Sequence, residues 1–399
     1  MSRHILTLNA GSSSVKFALF PGAGSGDALQ RAMWVGQADG LGPGLAARLL
    51  IRDAENKTLL DTTLDGDAAS HQGALAALLA WRADHAGDVQ IAAVGHRVVH
   101  GGMHFTAPVR IDAQVIESLA ALEPLAPLHQ PHNLAGVRAA MQAFAGVPQV
   151  ACFDTAFHAS QPDVNRRFAL PRALHDEGVR RYGFHGLSYE SIVAQLGAVD
   201  ARLATGRLIV AHLGNGASMC AIEGGRSVAT TMSFSPLDGL TMGTRCGQLD
   251  AAVVLYLQRA RGMTPDEVER LLFRESGLLG LSGVSSDMRA LEASTSHAAV
   301  EAVDHFVEQI VQQMGRLAAA LRGVDGIVFT GGIGENAAAL RDRVLAACAW
   351  MGVQPATAAN QKGATRLTTA DSAVAAWVIR TDEEAVIARH ARQVLDTAA

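Results

Sequence analysis

The sequence predicts an α/β fold in two lobes, on two observations. Apolar strands alternate with amphipathic helical segments, and one strand–turn–strand unit occurs twice. The first copy runs from Ile5 to Asn9, through the small polar turn Ala10-Gly11-Ser12-Ser13-Ser14, to Val15–Phe20. The second runs from Ile209 to His212, through Leu213-Gly214-Asn215-Gly216-Ala217, to Ser218–Ile222. Setting Gly11 on Gly214 places Asn9 against His212 and Leu19 against Ile222, the mark of a duplicated domain. A chain of 399 residues suits two or three domains at about 150 residues each.

The elements follow in order. Pro21 to Asp27 reads as a loop, Ile91 to Val99 as a strand, and Gln149 to Phe153, after the Gly146-Val147-Pro148 turn, as another. Ala298 to Leu321 is an amphipathic helix: Val300, Val303, Val307, Ile310, Val311, Met314, Leu317 and Leu321 recur at spacings of three and four. Gly326 to Thr330 is a buried strand, Gly331 to Gly334 a tight turn and Asn336 to Met351 a helix. A last strand, Ala373 to Ile379, leads into a closing helix from Asp382 to Leu395. The lobes are expected at residues 1–150 with 384–399, and at 151–383. A cleft between them would suit chemistry that needs closure.

Composition narrows the function. Hydrophobic residues make up 49% and charged residues 18%, enough for a substantial core. A net charge of −5 offers no basic stripe for nucleic acid, so an anionic substrate would have to be met by a few local arginines. The four cysteines are scattered without a CxxC pair, which points to a reducing compartment. Met1 to Leu8 is too short an apolar run for a signal peptide, and no stretch reaches the roughly 20 apolar residues of a membrane span. A cytoplasmic protein is expected. His96, His100 and His104 are spaced by four, but Val98-Val99 reads as strand and Gly101-Gly102 would break a helix, so zinc is not expected.

Three small-residue turns could receive phosphate. Gly11 to Ser14, with Asn9 before it and Lys16 after it, offers backbone N–H groups and hydroxyls, though its spacing is not that of a Walker A loop. The Gly214-Asn215-Gly216 turn is the second, and Gly331-Gly332-Ile333-Gly334-Glu335-Asn336, between a strand and a helix, the third. Arg97 lies at the end of an apolar strand and Arg245 in a glycine-bracketed loop. Each reads either as a structural ion pair or as a fork for carboxylate or phosphate oxygens. Asp154 follows a strand at its C-terminal end, where α/β folds put ligand groups and where capping is the alternative. His185 sits among aromatics and glycines, Glu383 and Glu384 open a helix, and Asp287 to Arg289 reads as a capping segment. Cys246 reads as a buried inert thiol.

Taken together, these segments resemble the acetate kinase family, of the acetate and sugar kinase, Hsp70 and actin superfamily. The matching stretches run nearly end to end: Leu8 to Ser14, Gly95 to Gly102, Leu125 to His129, Phe153 to His158, Tyr182 to Gly186, His212 to Gly216, Met242 to Gly247, Gly332 to Asn336 and Thr381 to Glu384. The resemblance implies a duplicated ribonuclease H-like fold and a reversible, direct in-line phosphoryl transfer from ATP to acetate. It also implies magnesium (manganese substituting) and a homodimer. Arg97 and Arg245 would hold the acyl carboxylate and the transferring phosphoryl oxygens, His185 would donate to that group, and Asp154 would position them. Val99, Leu128, Phe184 and Pro236 would meet the acetate methyl. Asn9 and Glu383 would organise magnesium. Lys16, Ser12, His212, Gly214, Asn215, Gly216, Gly332, Ile333, Gly334 and Asn336 would approach the phosphates, with Asp287, Met288 and Arg289 by the adenosine.

Two departures stand out: Met288 where phenylalanine is usual and Asp238 where glutamate is usual. A propionate kinase is the alternative within the family, because one methylene discriminates by only about 1–3 kcal/mol. A sugar kinase would need a carboxylate base at a hydroxyl, which an ionised carboxylate acceptor does not. A non-catalytic ATP switch of the Hsp70 or actin type would have no use for Arg97, Arg245 and His185 together.

Overall fold

The computed structural model describes residues 3–11, 14–22, 29–42, 46–85 and 89–397. Ser12, Ser13 and most of the loop from Pro21 to Asp27 therefore lie outside the described residues. The chain forms two compact units, Met1–Phe157 with Asp382–Ala399, and His158–Thr381. Both Asp154 and Glu383 thus belong to the first unit.

The first unit is built on β1 (Arg3–Ala10), β2 (Ser14–Pro21), β3 (Trp34–Asp39), β4 (Ala47–Asp53), β5 (Thr58–Leu64), β6 (Gln90–Val98), β7 (Val109–Arg110) and β8 (Gln149–Phe153). Their spatial order is β5-β4-β3-β2-β1-β6-β8-β7. Strands β1 to β5 form an antiparallel meander, while β6 runs parallel to β1 and β8 parallel to β6. One apolar face, with Leu6, Leu8, Phe17, Leu49 and Ile51, is covered by Leu75, Leu78 and Trp81 of the helix His71–His85. The closing helix Glu383–Thr397 packs on β6 at Gly95, where a Cβ would stand 2.5 Å from the Ile387 side chain. That close approach brings the start of the helix to the end of the strand.

The second unit repeats the plan with β9 (Arg207–Leu213), β10 (Ala217–Glu223), β11 (Arg226–Thr230), β12 (Gly326–Thr330) and β13 (Ala375–Val378), in the order β11-β10-β9-β12-β13. Strands β9, β10 and β11 are an antiparallel meander, and β12 lies parallel to both β9 and β13. The β3-β2-β1-β6-β8 half of the first sheet has the same order and directions, so the duplication read from two hairpins extends to five strands. The ungapped alignment slips after the turn, however. Leu6 pairs with Leu19, but its counterpart Ile209 pairs with Ala221, not with Ile222, because the first turn is one residue longer.

Two other expectations change. Val300 is 48% exposed, because Ala299, Ala302 and Val303 fill the buried face in the first turns of the helix His297–Leu321. The glycine-rich segment Gly331–Asn336 is itself one turn of helix, and Ala337, at φ −87° and ψ 79°, separates it from the helix Ala338–Ala347. No helix among the described residues is long and apolar enough to cross a membrane. Phe329 is wholly buried at the centre of the second sheet. Phe329→Ala is expected to destabilise the protein by about 3–5 kcal/mol, read as a lower urea midpoint in equilibrium unfolding.

Candidate active site

Sheet register assembles the polar group of the first unit. Leu8 pairs with His96 and Val98 with Phe153, so Asn9, Arg97 and Asp154 emerge together at the C-terminal ends of β1, β6 and β8. Asp154 is 1% exposed and takes a bidentate fork from Arg97: Nε donates to Oδ1 at 3.0 Å and Nη2 to Oδ2 at 2.6 Å. Arg97 Nη1 donates to Asn9 Oδ1 at 3.3 Å, and Glu383 Oε2 lies 3.8 Å from Arg97 Nε. A residue that the sequence did not single out, Asn133, fixes the strand ends. Buried in the helix Gln130–Ala143, it accepts from Val99 N–H at 2.9 Å and donates to the Ala10 carbonyl at 2.8 Å. Val99 is buried and Leu128 half-buried in the same unit.

Charge in this group is unevenly balanced. Burial lowers the Arg97 pKa, but Asp154 and Glu383 outweigh it and hold the guanidinium firmly charged. Burial also pushes Glu383 up to about 7, against the pull of Arg97 and helped by Asp154 and Glu384. The donors here are carboxylate and amide oxygens in excess of the arginine, a set that fits a hard dication. No cluster of three or more His, Cys, Asp or Glu suited to a metal occurs among the described residues.

In the second unit His185 occupies the left-handed region, φ 59° and ψ 25°, directly before the helix Gly186–Val199. Its Nδ1 lies 2.8 Å from Ser218 Oγ, and its ring stacks on His212 with centroids 4.4 Å apart. His212 is anchored in turn, with Nδ1 2.7 Å from Ser188 Oγ. Arg245 Nη1 donates to the Pro236 carbonyl at 2.6 Å, so the buried Pro236 aims the guanidinium through its backbone. A Cβ at Gly216 would stand 2.6 Å from Arg245 Nη2 and 3.5 Å from His185 Nε2, so both side chains face this one glycine.

Phe184 is fully buried and its carbonyl accepts from His158 Nε2 at 2.9 Å. The ring N–H of His158 is thereby on Nε2, leaving Nδ1 to accept from Ser227 Oγ at 2.9 Å, while Gln161 donates to that same oxygen at 3.0 Å. Asp238 accepts from Ser233 Oγ at 2.6 Å and from Gly239 N–H at 2.8 Å. Cys246 is half-buried, and burial raises its pKa, as suits an inert thiol.

A cavity of about 690 Å³ in this unit is lined by Gly214, Asn215, Asp287, Met288, Arg289, Gly332, Ile333 and Asn336, joined by Ser286, Glu292 and Ala337. Its size lies within the usual range for a bound small molecule. His212, Gly216 and Gly334 are not in its lining. Gly334 instead gives its carbonyl to the buried Arg341 at 2.8 Å. The capping reading of Asp287 holds as well: it accepts from Arg289 N–H at 2.9 Å while the Arg289 guanidinium returns to the same carboxylate. The Gly331 N–H is occupied too, donating to Glu335 Oε1 at 3.0 Å. Lys16 is exposed and lines a smaller cavity of about 280 Å³ in the first unit, with Arg52, Asp382 and Glu384. Ser12 lies outside the described residues.

The Arg97 fork in the first unit, and Arg245, the anchored His185 and the glycine turns in the second, suit a phosphoryl-transferring enzyme. The chain belongs to the Acetokinase family, whose sequence profile matches residues 4–389. It is 51% identical over 402 aligned residues to the acetate kinase of Methylocella silvestris, covering 99% of each chain. Among solved structures it is similar to a propionate kinase from Francisella tularensis, at 34% identity and a TM-score of 0.90. It is also similar to Porphyromonas gingivalis acetate kinase, at 35% and 0.86. In each case 98% of this chain and 100% of the other are covered.

His158 supplies a pH test. Burial pushes its pKa down to about 4, with the Phe184 carbonyl acting weakly the other way. Below the ordinary value of about 6.5 the unfolded chain binds a proton that the folded chain refuses, so stability falls with acidification between the two values. The expected slope from this residue is about 1.4 kcal/mol per pH unit. Urea unfolding from pH 6.5 to 4 should show it, with the slope reduced but not abolished in His158→Gln, because burial also pushes His96 and His100 down to about 4.

Proposed function

We propose that the chain is an acetate kinase, transferring the γ-phosphoryl group of ATP to acetate to give acetyl phosphate and ADP. The observation that carries this reading is the Arg97–Asp154 fork in a chain half-identical, end to end, to an acetate kinase. A carboxylate acceptor is already ionised near neutral pH and needs positive charge and alignment, not a base.

In this reading Arg97, oriented by Asp154, meets the acceptor carboxylate, while Arg245 and His185 take the phosphoryl oxygens as charge develops on them. Val99, Leu128, Phe184 and Pro236 meet the acyl methyl. The 690 Å³ cavity takes the nucleotide, with Gly214, Asn215, Gly332, Ile333 and Asn336 at the phosphates and Asp287, Met288 and Arg289 at the adenosine. Lys16, Ser12, His212, Gly216 and Gly334 complete the phosphate surroundings. Asn9 and Glu383 would hold magnesium, which when bound neutralises phosphate charge. Four scattered cysteines without a CxxC pair suit a reducing, cytoplasmic setting. Propionate is the second reading for the acceptor, favoured by the structural likeness to the Francisella enzyme.

ATP-dependent hydroxamate formation with acetate, propionate and butyrate tests the reaction. Acetate should give the strongest signal, and Arg97→Ala should lower turnover by about 100-fold or more, with Arg97→Lys failing to restore it. No hydroxamate from folded, nucleotide-binding protein would sink the kinase reading.

We also infer a homodimer. The helix Ala251–Arg259 has no buried side chain, yet Val253, Leu255 and Tyr256 are apolar and 37–55% exposed. Leu255→Glu with Tyr256→Glu should convert the sedimenting species from dimer to monomer; an unchanged dimer would place the interface elsewhere.

A further inference from the structure

We infer that Arg166, Arg167 and Arg180 form a receptor for the phosphate group of a small molecule, in which the Asp163 carboxylate is the internal competitor. The receptor lies within the second unit and does not depend on the reaction proposed above.

Three guanidinium groups converge there on one carboxylate. Arg166 Nη2 lies 2.5 Å from Asp163 Oδ1, Arg180 Nη2 3.8 Å from the same oxygen, and Arg167 Nη2 3.9 Å from Oδ2. Arg166 and Arg167 come from the same turn as the aspartate, around the short helix Asp163–Arg166. Arg180 is brought across by the backbone, because the Arg181 N–H donates to the Arg166 carbonyl at 2.8 Å. Arg181 itself is turned elsewhere, toward Asp238 and the Phe168 ring.

The charges at this cluster do not balance. The side chain of Arg180 is only 16% exposed, whereas that of Asp163 is 61% exposed. Burial first, and then the charge of Arg166, lowers the pKa of Arg180; Arg167 adds to this, while Tyr182 and Asp163 oppose it. Among the described residues neither Arg167 nor Arg180 makes a side-chain hydrogen bond, since 3.9 and 3.8 Å are ion contacts only. Arg166 uses Nη2 on the aspartate, yet its Nε is sealed from solvent without a partner.

An independent sign comes from the neighbouring helix Arg172–Asp176. His175 is 8% exposed, and its Nδ1 has no hydrogen-bond partner. Burial, and after it the charges of Arg167 and Arg180, hold the imidazole below its ordinary pKa against the pull of Asp176 and Asp163. The positive field of the cluster therefore reaches a buried polar side chain that nothing in the fold satisfies.

The shape of the cluster selects the ligand. A carboxylate offers two oxygens in one plane, whereas three guanidinium forks call for oxygens pointing in three directions, as on a tetrahedral phosphate. A dianion also meets more of the excess charge than a carboxylate can. All three contacts fall within 4 Å of one carboxylate, the footprint of a single oxyanion, and a chain of net charge −5 is no general receptor for nucleic acid. Asp163 would be repelled as phosphate enters and would turn to the solvent that already covers most of it.

Inorganic phosphate is the probe, titrated calorimetrically into the full chain at low ionic strength. The wild type should bind it; Arg180→Ala should bind it at least about tenfold more weakly and Asp163→Asn about threefold or more tightly. Opposite signs from the two variants mark a receptor and its competitor, which a general loss of structure does not produce. Arg245→Ala, which removes phosphate held at the phosphoryl-transfer residues, should leave this binding in place. Glycerol phosphate as a second titrant tells a monoester from free phosphate, and binding of either with this order of variants supports the receptor. Succinate should bind at least about tenfold more weakly than phosphate, and equal binding would overturn the phosphate assignment. Should Arg180→Ala fail to fold by circular dichroism, Arg167→Ala takes its place in the comparison. Phosphate binding unmoved by the arginine variant and by Asp163→Asn, or lost only in Arg245→Ala, would overturn the inference.

Discussion

Much of the first unit's polar chemistry depends on a single ion pair. Arg97 and Asp154 extend from adjacent parallel strands, β6 and β8, and two bonds join the half-buried guanidinium to the buried carboxylate. Burying two charges is favourable only when geometry is good and the remaining donors are satisfied. Here Asn9 from β1 takes a third donor, and Asn133 ties the ends of β1 and β6 to each other. Removing Asp154 would leave a half-buried cation facing Glu383 at a longer distance, so the aspartate stabilises the arginine as well as aiming it.

The second unit solves a similar problem with neutral groups. Its histidines are aimed by hydroxyls and its arginine by a backbone carbonyl. Such neutral groups cost less to bury than a carboxylate and leave the positive charge of Arg245 uncancelled by these bonds. The duplication thus kept a sheet order while diverging in electrostatics: the ends of β1, β6 and β8 carry an amide, a guanidinium and a carboxylate, and those of β9 and β10 an imidazole and a hydroxyl.

What the sequence made legible was what depends on local pattern. Strand periods located β8 and β12 to the residue, and the recurring hairpin foretold the repeat. Arg97 and Asp154 stood out because charge at the end of an apolar strand is unusual. Asn133, Ser188 and Ser218 did not, since a polar residue in a helix or a serine in a hairpin looks ordinary until register shows what it touches. The hairpin slip was invisible for a related reason: turn length is absorbed by a loop, and only cross-strand pairing exposes it. Gly331–Asn336 misled because glycines read as a turn, whereas Glu335 folds back onto Gly331 N–H and closes a helical turn around them.

Met288 gives the 690 Å³ cavity a character of its own. Among the described residues its lining contains no aromatic ring, and the four tryptophans, at 34, 81, 350 and 377, are all outside it. A purine seated there would lie against a thioether and an aliphatic isoleucine, surfaces that are soft and shape-tolerant but have no quadrupole to align a ring. It would also touch none of the four tryptophans, so occupancy of this cavity would be followed better by heat or by a labelled nucleotide than by direct contact quenching of the protein's own fluorescence.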